Sequence, residues 1–141
     1  SMGRVHRLCR DAVTLAVEPL GLTQSRWTAM MHLFHLNQGC TQQELANSLG
    51  IEMPSLTRTI KQLEQQEIIA RKADADDKRS KRLYFTQQGL QLLDTLQVII
   101  ADVKEHLYAD LTTEQLDTMA HGLIQMEQNA RQCIRHYSGD K

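Results

Sequence analysis

The 141-residue sequence is poor in the residues that punctuate β structure. Seven glycines, two prolines and 4% aromatics are too few turn and strand formers for an all-β sandwich or barrel. Long hydrophobic runs are missing as well. The longest aliphatic stretch, 98–101, falls far short of the ~20 apolar residues that cross a bilayer, so no membrane partner is expected. There is no basic-then-apolar leader, which argues against secretion, and Ser1, Met2 and Gly3 read as an expression remnant ahead of the natural start. The cysteines, Cys9, Cys40 and Cys133, are odd in number and widely spaced. That pattern points to reduced thiols in a cytoplasmic protein rather than to a disulfide framework. Catalytic signatures are also lacking: no G-x-S-x-G, no glycine-rich phosphate loop, no H-E-x-x-H and no spaced carboxylate pair. An enzymatic reading finds no support, and no cofactor or metal is expected.

What is present is a chain of one-domain size, 41% apolar and 23% charged, inside the globular range and outside the disordered one. Its net charge of −1 conceals an asymmetry. Residues 54–85 hold eight Lys/Arg against five Asp/Glu, a surplus of +3, while residues 86–141 hold four against eight, a deficit of −4. A basic middle beside an acidic tail suits a chain whose centre meets a polyanion, although a solvated charged loop would look the same.

Periodicity predicts six helices and one hairpin. Val5, Leu8, Cys9, Ala12 and Leu15 recur at helical spacing until Pro19 and Gly21 break the pattern. Thr23 is expected to cap a second helix whose buried stripe is Trp27, Met30, Met31 and Phe34. Thr41-Gln42-Gln43-Glu44 forms a capping box for a short third helix, with Leu45, Ala46 and Leu49 inside and Gly50 just past its end. Pro54 fits the first turn of a fourth helix that buries Leu56, Ile60 and Leu63. Two β-leaning runs, 68–72 and 81–85, flank a charged loop at 73–80. Thr86 caps a long fifth helix, and Thr112 to Gln115 supply a second capping box for the last. That last helix carries Leu116, Met119, Leu123, Met126, Ala130, Cys133 and Tyr137 in alternating steps of three and four, a heptad seam. Two end segments with more apolar surface than the middle can cover suggest a homodimer; helices folded back on one chain are the alternative.

Helix, capped short helix, turn, helix and basic hairpin, in that order, is the sequence form of a winged helix-turn-helix. The expected fold is mainly α. A winged helix-turn-helix at 23–85 sits between 4–22 and 86–137, whose long helices form a dimerisation domain. With Leu56, Ile60 and Leu63 inward, a 100° advance per residue puts Ser55, Arg58, Lys61, Gln62 and Gln65 outward, with Thr57 and Thr59 on the flanks. Each can donate to phosphates or base edges of double-stranded DNA, and Arg58 in mid-face suits a bidentate contact to guanine. Lys78, Arg79, Lys81 and Arg82 crowd the hairpin tip, where an arginine can enter a narrow minor groove. Asp77 is expected to orient Arg79. A winged helix used as a protein-interaction module would instead show an acidic or apolar recognition face.

These residues also resemble a known family. Leu22-Thr23-Gln24, Leu45-Ala46, Ser55-Leu56-Thr57-Arg58, Leu63-Glu64, Asp77-Lys78-Arg79-Ser80-Lys81-Arg82 and Thr86-x-x-Gly89 are similar to the MarR family of bacterial regulators, and within it to the SlyA branch. The resemblance implies a homodimeric regulator, often a repressor, that binds pseudo-palindromic promoter DNA and responds to small aromatic carboxylates. It implies DNA contacts at Ser55, Thr57 and Arg58, and at Asp77 and Arg79 in the wing; Thr41 and Gln42 stand where free amides at a helix start meet phosphate. It further suggests Arg10 and Trp27 as the cation and aromatic wall of an effector pocket, although a surface arginine and a core tryptophan are the plainer reading. Cys9 lies in the first helix, as the reactive cysteine of peroxide-sensing members does. The surrounding Arg7-Leu8-Cys9-Arg10 does not match theirs, and a packed thiol is the plainer reading. His32 and His35 have a metal-compatible spacing but no further ligand at a recognisable distance.

Overall fold

A computed structural model of the chain describes residues 1–77 and 79–139. The first helix, α1, runs Met2–Val17, with the Ser1 hydroxyl accepting from the Arg4 amide, and gives way to a 3-10 turn, Glu18–Leu20, closed by Gly21 at φ 74°. Helix α2 spans Gln24–Leu36. Thr23 occupies its N-cap position without capping it: the hydroxyl instead accepts from Arg26 Nε at 3.1 Å. The expected buried stripe of α2 needs correction. Ala29, Met30 and Leu33 are buried, Trp27 and Met31 half-buried, and Phe34 is 41% exposed. Apolar residues span more than half of this helix's circumference, so spacing alone does not select the inward face.

Helix α3, Gln42–Leu49, begins with the capping box in full. Thr41 Oγ1 accepts from the Glu44 amide and Glu44 Oε1 from the Thr41 amide, both at 3.1 Å. Helix α4, Met53–Gln65, has Pro54 in its first turn, where a missing N–H costs nothing. Leu56, Ile60 and Leu63 are fully buried. The helix ends with Glu67 in the left-handed region (φ 60°), where its amide reaches the Glu64 carbonyl and that of Ile68 the Leu63 carbonyl.

The hairpin is β2, Ile69–Ala73, and β3, Lys81–Phe85. The first strand starts one residue later than its β-leaning run. A third strand, β1 (Cys40–Thr41), is new: it pairs antiparallel with β3, giving the order β1-β3-β2. Two residues are too few for periodicity to register. Thr86 then links sheet to helix. Its hydroxyl accepts from the Gly89 amide at 2.9 Å and donates to the Glu67 carbonyl, while its own amide donates to that of Ile68. Helix α5 follows as Gln87–Leu107 and α6 as Thr113–Ser138, the latter opened by the Thr112 capping box.

The chain forms two compact units, Ser1–Lys104 and Glu105–Lys141. The core of the first joins Val13 and Val17 of α1, Met30 and Leu33 of α2, Leu45 of α3, the α4 stripe, Leu83 of β3, and Leu93 and Leu96 of α5. In the second, no described residue of α6 is buried. Its heptad positions Met119, Leu123, Met126 and Tyr137 are all among the exposed large apolar side chains, as are Val5, Leu8 and Leu15 on α1. Among the described residues no helix is long and apolar enough to cross a membrane.

Candidate nucleic-acid interface

The outward face of α4 is built as its periodicity implies. Ser55, Arg58, Lys61 and Gln65 are exposed, and Thr57 and Gln62 half-buried. Thr59 is different. It is buried to 6% exposure, and its hydroxyl donates to the Ser55 carbonyl at 3.3 Å. Lying three residues after Leu56 and four before Leu63 puts it on the core side, so Thr59 drops out of the candidate contacts. Glu64, the acidic residue on this helix, is tied to Arg71 of β2 at 3.0 Å.

The start of α3 meets this face from the side. Thr41 and Gln42 are both half-buried. The Thr41 hydroxyl is engaged in the capping box, and Gln42 Nε2 donates to Thr57 Oγ1 at 3.2 Å. Two residues expected to touch the same duplex thus bond to each other, fixing α3 to α4. The capping contacts hold the Glu44 carboxyl below the usual range, with the Thr41 amide as the main cause and its hydroxyl next.

In the wing, Asp77, Arg79 and Lys81 are exposed, while Lys78 lies outside the described residues. Asp77 Oδ1 accepts from the Arg79 amide at 3.0 Å and stands 3.7 Å from its Nε. The carboxylate therefore shapes the backbone turn and holds the guanidinium only loosely, leaving that side chain 95% exposed. Arg82 corrects the expectation of a fully free basic tip. It is half-buried, with Nε and Nη2 on Asp74 Oδ2 at 3.1 and 3.0 Å and Nη1 on the Gly39 carbonyl at 2.7 Å. The Asp76 amide, and after it Arg82, hold the Asp74 carboxyl below its ordinary value; Asp74 in turn raises the Arg82 guanidinium. Sequence reasoning missed Asp74. The hairpin register, Lys72 opposite Arg82, is the signal that would have found it. It also missed Lys72, an exposed cation 4.9 Å over the Tyr84 ring.

Away from this face, the Trp27 indole donates to Thr14 Oγ1 at 2.9 Å, and that hydroxyl donates to the Arg10 carbonyl. Arg10 Nε is buried with no hydrogen-bond partner among the described residues. A cavity of about 340 Å³ lies elsewhere, among Leu20, Gln66, Ile68, Gln88, Gln91, Leu92 and Thr95; neither Arg10 nor Trp27 lines it. Cys9 is half-buried, Cys40 buried and Cys133 exposed, all as free thiols. Burial pushes the Cys40 thiol up. His32 Nδ1 pairs with Ser48 Oγ at 2.9 Å, and no group of three or more metal-ligating side chains occurs among the described residues.

A helix pair under a three-stranded sheet with a charged hairpin is a winged helix-turn-helix. Residues 22–81 match the MarR family. Members of that family are DNA-binding transcription factors rather than enzymes. The transcriptional regulator PA3341 is 28% identical, with a TM-score of 0.85 over 93% of this chain and 96% of its own. A MarR transcriptional regulator from Methanosarcina mazei Go1 is 23% identical, with a TM-score of 0.85 over 94% of each chain. The repressor CouR, in a complex with a 23-mer DNA duplex, is 24% identical, with a TM-score of 0.80 over 89% of each chain.

Proposed function

We propose that this chain is a MarR-type transcriptional regulator of the SlyA kind that binds double-stranded DNA as a homodimer, α4 entering the major groove and the wing lying along the adjacent minor groove. The observation that carries this reading is the α4 face. Ser55, Arg58, Lys61 and Gln65 are exposed together, Glu64 beside them is neutralised by Arg71, and Arg79 and Lys81 stand exposed in the wing. Ser55, Thr57, Arg58, Lys61, Gln62, Asp77, Lys78, Arg79 and Lys81 are the proposed contacts, with Thr41 and Gln42 at phosphates through the start of α3. That the relative CouR is bound to a duplex supports the same use of the fold.

The dimer is supported by the exposed apolar residues of α1 and α6, which together with α5 would form the dimerisation domain flanking 23–85. Two recognition helices would then read half-sites ~34–36 Å apart, about one turn of DNA, and such work belongs in the cytoplasm, where the promoter is. Arg58→Ala tests the assignment. Specific binding should fall by ~1–3 kcal/mol at the base it reads, with nonspecific binding less affected. Equal losses on both would make Arg58 a phosphate contact only.

Release by a small aromatic carboxylate is a second reading, favoured by the buried Arg10 Nε, which has no hydrogen-bond partner among the described residues. Benzoate should weaken DNA binding by the wild type and leave Arg10→Ala unaffected; an equal response in both would remove Arg10 from that role.

A further inference from the structure

The basic residues of the wing are of two kinds. Arg79 and Lys81 are exposed, whereas Arg82 spends its guanidinium on the protein. Two of its nitrogens converge on Asp74 Oδ2 and the third reaches the Gly39 carbonyl. That use of a planar fork is open to arginine and closed to lysine, which offers a single point charge. The partners come from three places in the chain. Gly39 stands before β1, Asp74 opens the loop after β2, and Arg82 lies on β3, the central strand. Both partners are themselves anchored. Asp74 Oδ1 accepts from the Asp76 amide and the Asp74 amide donates to the Ser80 carbonyl, each at 3.0 Å, while the Gly39 amide donates to the Leu83 carbonyl at 2.7 Å. The Asp74 side chain is only 14% exposed, so it faces the clamp rather than a passing phosphate.

The clamp also adjoins the start of the supporting helix. Arg82 is directly opposite Thr41 in the sheet; Thr41 caps α3, and Gln42 bonds to Thr57 on α4. Wing loop, α3 start and recognition helix are thereby held in one hydrogen-bonded frame. We propose that Arg82 is a positioning residue that makes no DNA contact: with Asp74 and the Gly39 carbonyl it fixes the wing loop against the turn leading into α3, and so sets where Arg79 meets the duplex. The inference rests on the DNA-binding reading above.

Asp74→Asn discriminates between the two roles open to Arg82. Were Arg82 a phosphate contact, freeing it while removing a negative charge would tighten binding. A positioning role predicts that the loop loosens and Arg79 loses its place. Two readouts are needed on Asp74→Asn, Arg82→Gln and Arg82→Lys. In amide hydrogen exchange, the 74–80 loop and Gly39 should exchange faster by about tenfold or more in all three variants, with α4 unchanged. In selection from a random duplex pool, wild type should enrich a palindromic motif with A/T-rich flanks, and the variants should keep the motif and lose the flanks. Unchanged exchange, flank preference retained by Arg82→Lys, or tighter binding by Asp74→Asn would each overturn the proposal. Should Arg82→Gln fail to fold, the milder Asp74→Asn decides. A wild type that enriches no motif overturns the DNA reading and Arg82's role with it, whereas a motif and flanks shared by wild type and Asp74→Asn overturn the clamp alone.

Discussion

Gly89 has no room for a side chain. A Cβ built there would stand 2.0 Å from the Ile68 carbonyl oxygen, a backbone atom that cannot swing aside. The same carbonyl accepts from the Thr86 amide, and Thr86 in turn accepts from the Gly89 amide. The Thr86-x-x-Gly89 spacing is therefore the joint by which α5 starts hard against the turn between α4 and β2. Gly89→Ala should destabilise the fold by at least the ~1–3 kcal/mol typical of overpacking, read as a drop in urea midpoint; an unchanged midpoint would mean the joint can shift at no cost. Single positions also show where sequence reading succeeds and fails. Helical geometry puts Arg58 and Lys61 outward, and both are exposed. At Thr59 and Arg82 spacing falls short, because residue type does not reveal whether a polar group already has a partner. The Ser55 carbonyl for one, and Asp74 with Gly39 for the other, become neighbours only once the chain is folded.

Elements whose signals are local were legible. The capping boxes at Thr41 and Thr112, and the α4 stripe, need only three to seven residues of context, and all formed as their spacing implies. Strand β1 was invisible because its two residues become a strand only by pairing with β3, some forty positions away. Thr41→Ala should cost ~1 kcal/mol through the lost N-cap, and Thr41→Ser should restore most of it; full stability in Thr41→Ala would mean water replaces the cap. Acid should act on the same elements. The carboxyls of Glu44 and Asp74 are both held below their ordinary values. Each thus adds stability above the unfolded carboxylate pKa of about 4, and that stability is lost as pH falls through the lower, folded value. Between pH 6 and pH 3 the melting temperature of wild type should fall further than that of Glu44→Gln. Parallel curves would show that the Glu44 shift carries no stability.

At the scale of the whole molecule, the balance of surface decides assembly and affinity. Apolar side chains on α1 and along α6 lie exposed in the single chain, and large exposed apolar patches mark association surfaces. Leu123→Glu, in mid-seam, should convert a dimer to a monomer in sedimentation, and a wild-type monomer would refute the dimer outright. The basic surplus sits in the middle third and the acid in the tail, so attraction to DNA should be confined to the winged unit and screened steeply by salt. The central claim, that α4 and the wing read a specific duplex, is tested most directly by fluorescence anisotropy at ~0.15 M salt, where nonspecific Kd values are ~10⁻⁴–10⁻⁶ M. The probes are a duplex from the gene's own upstream region and its shuffled copy. Nanomolar binding to the first, with at least about a hundredfold weaker binding to the second, is the predicted result. Equal, weak binding to both would contradict it.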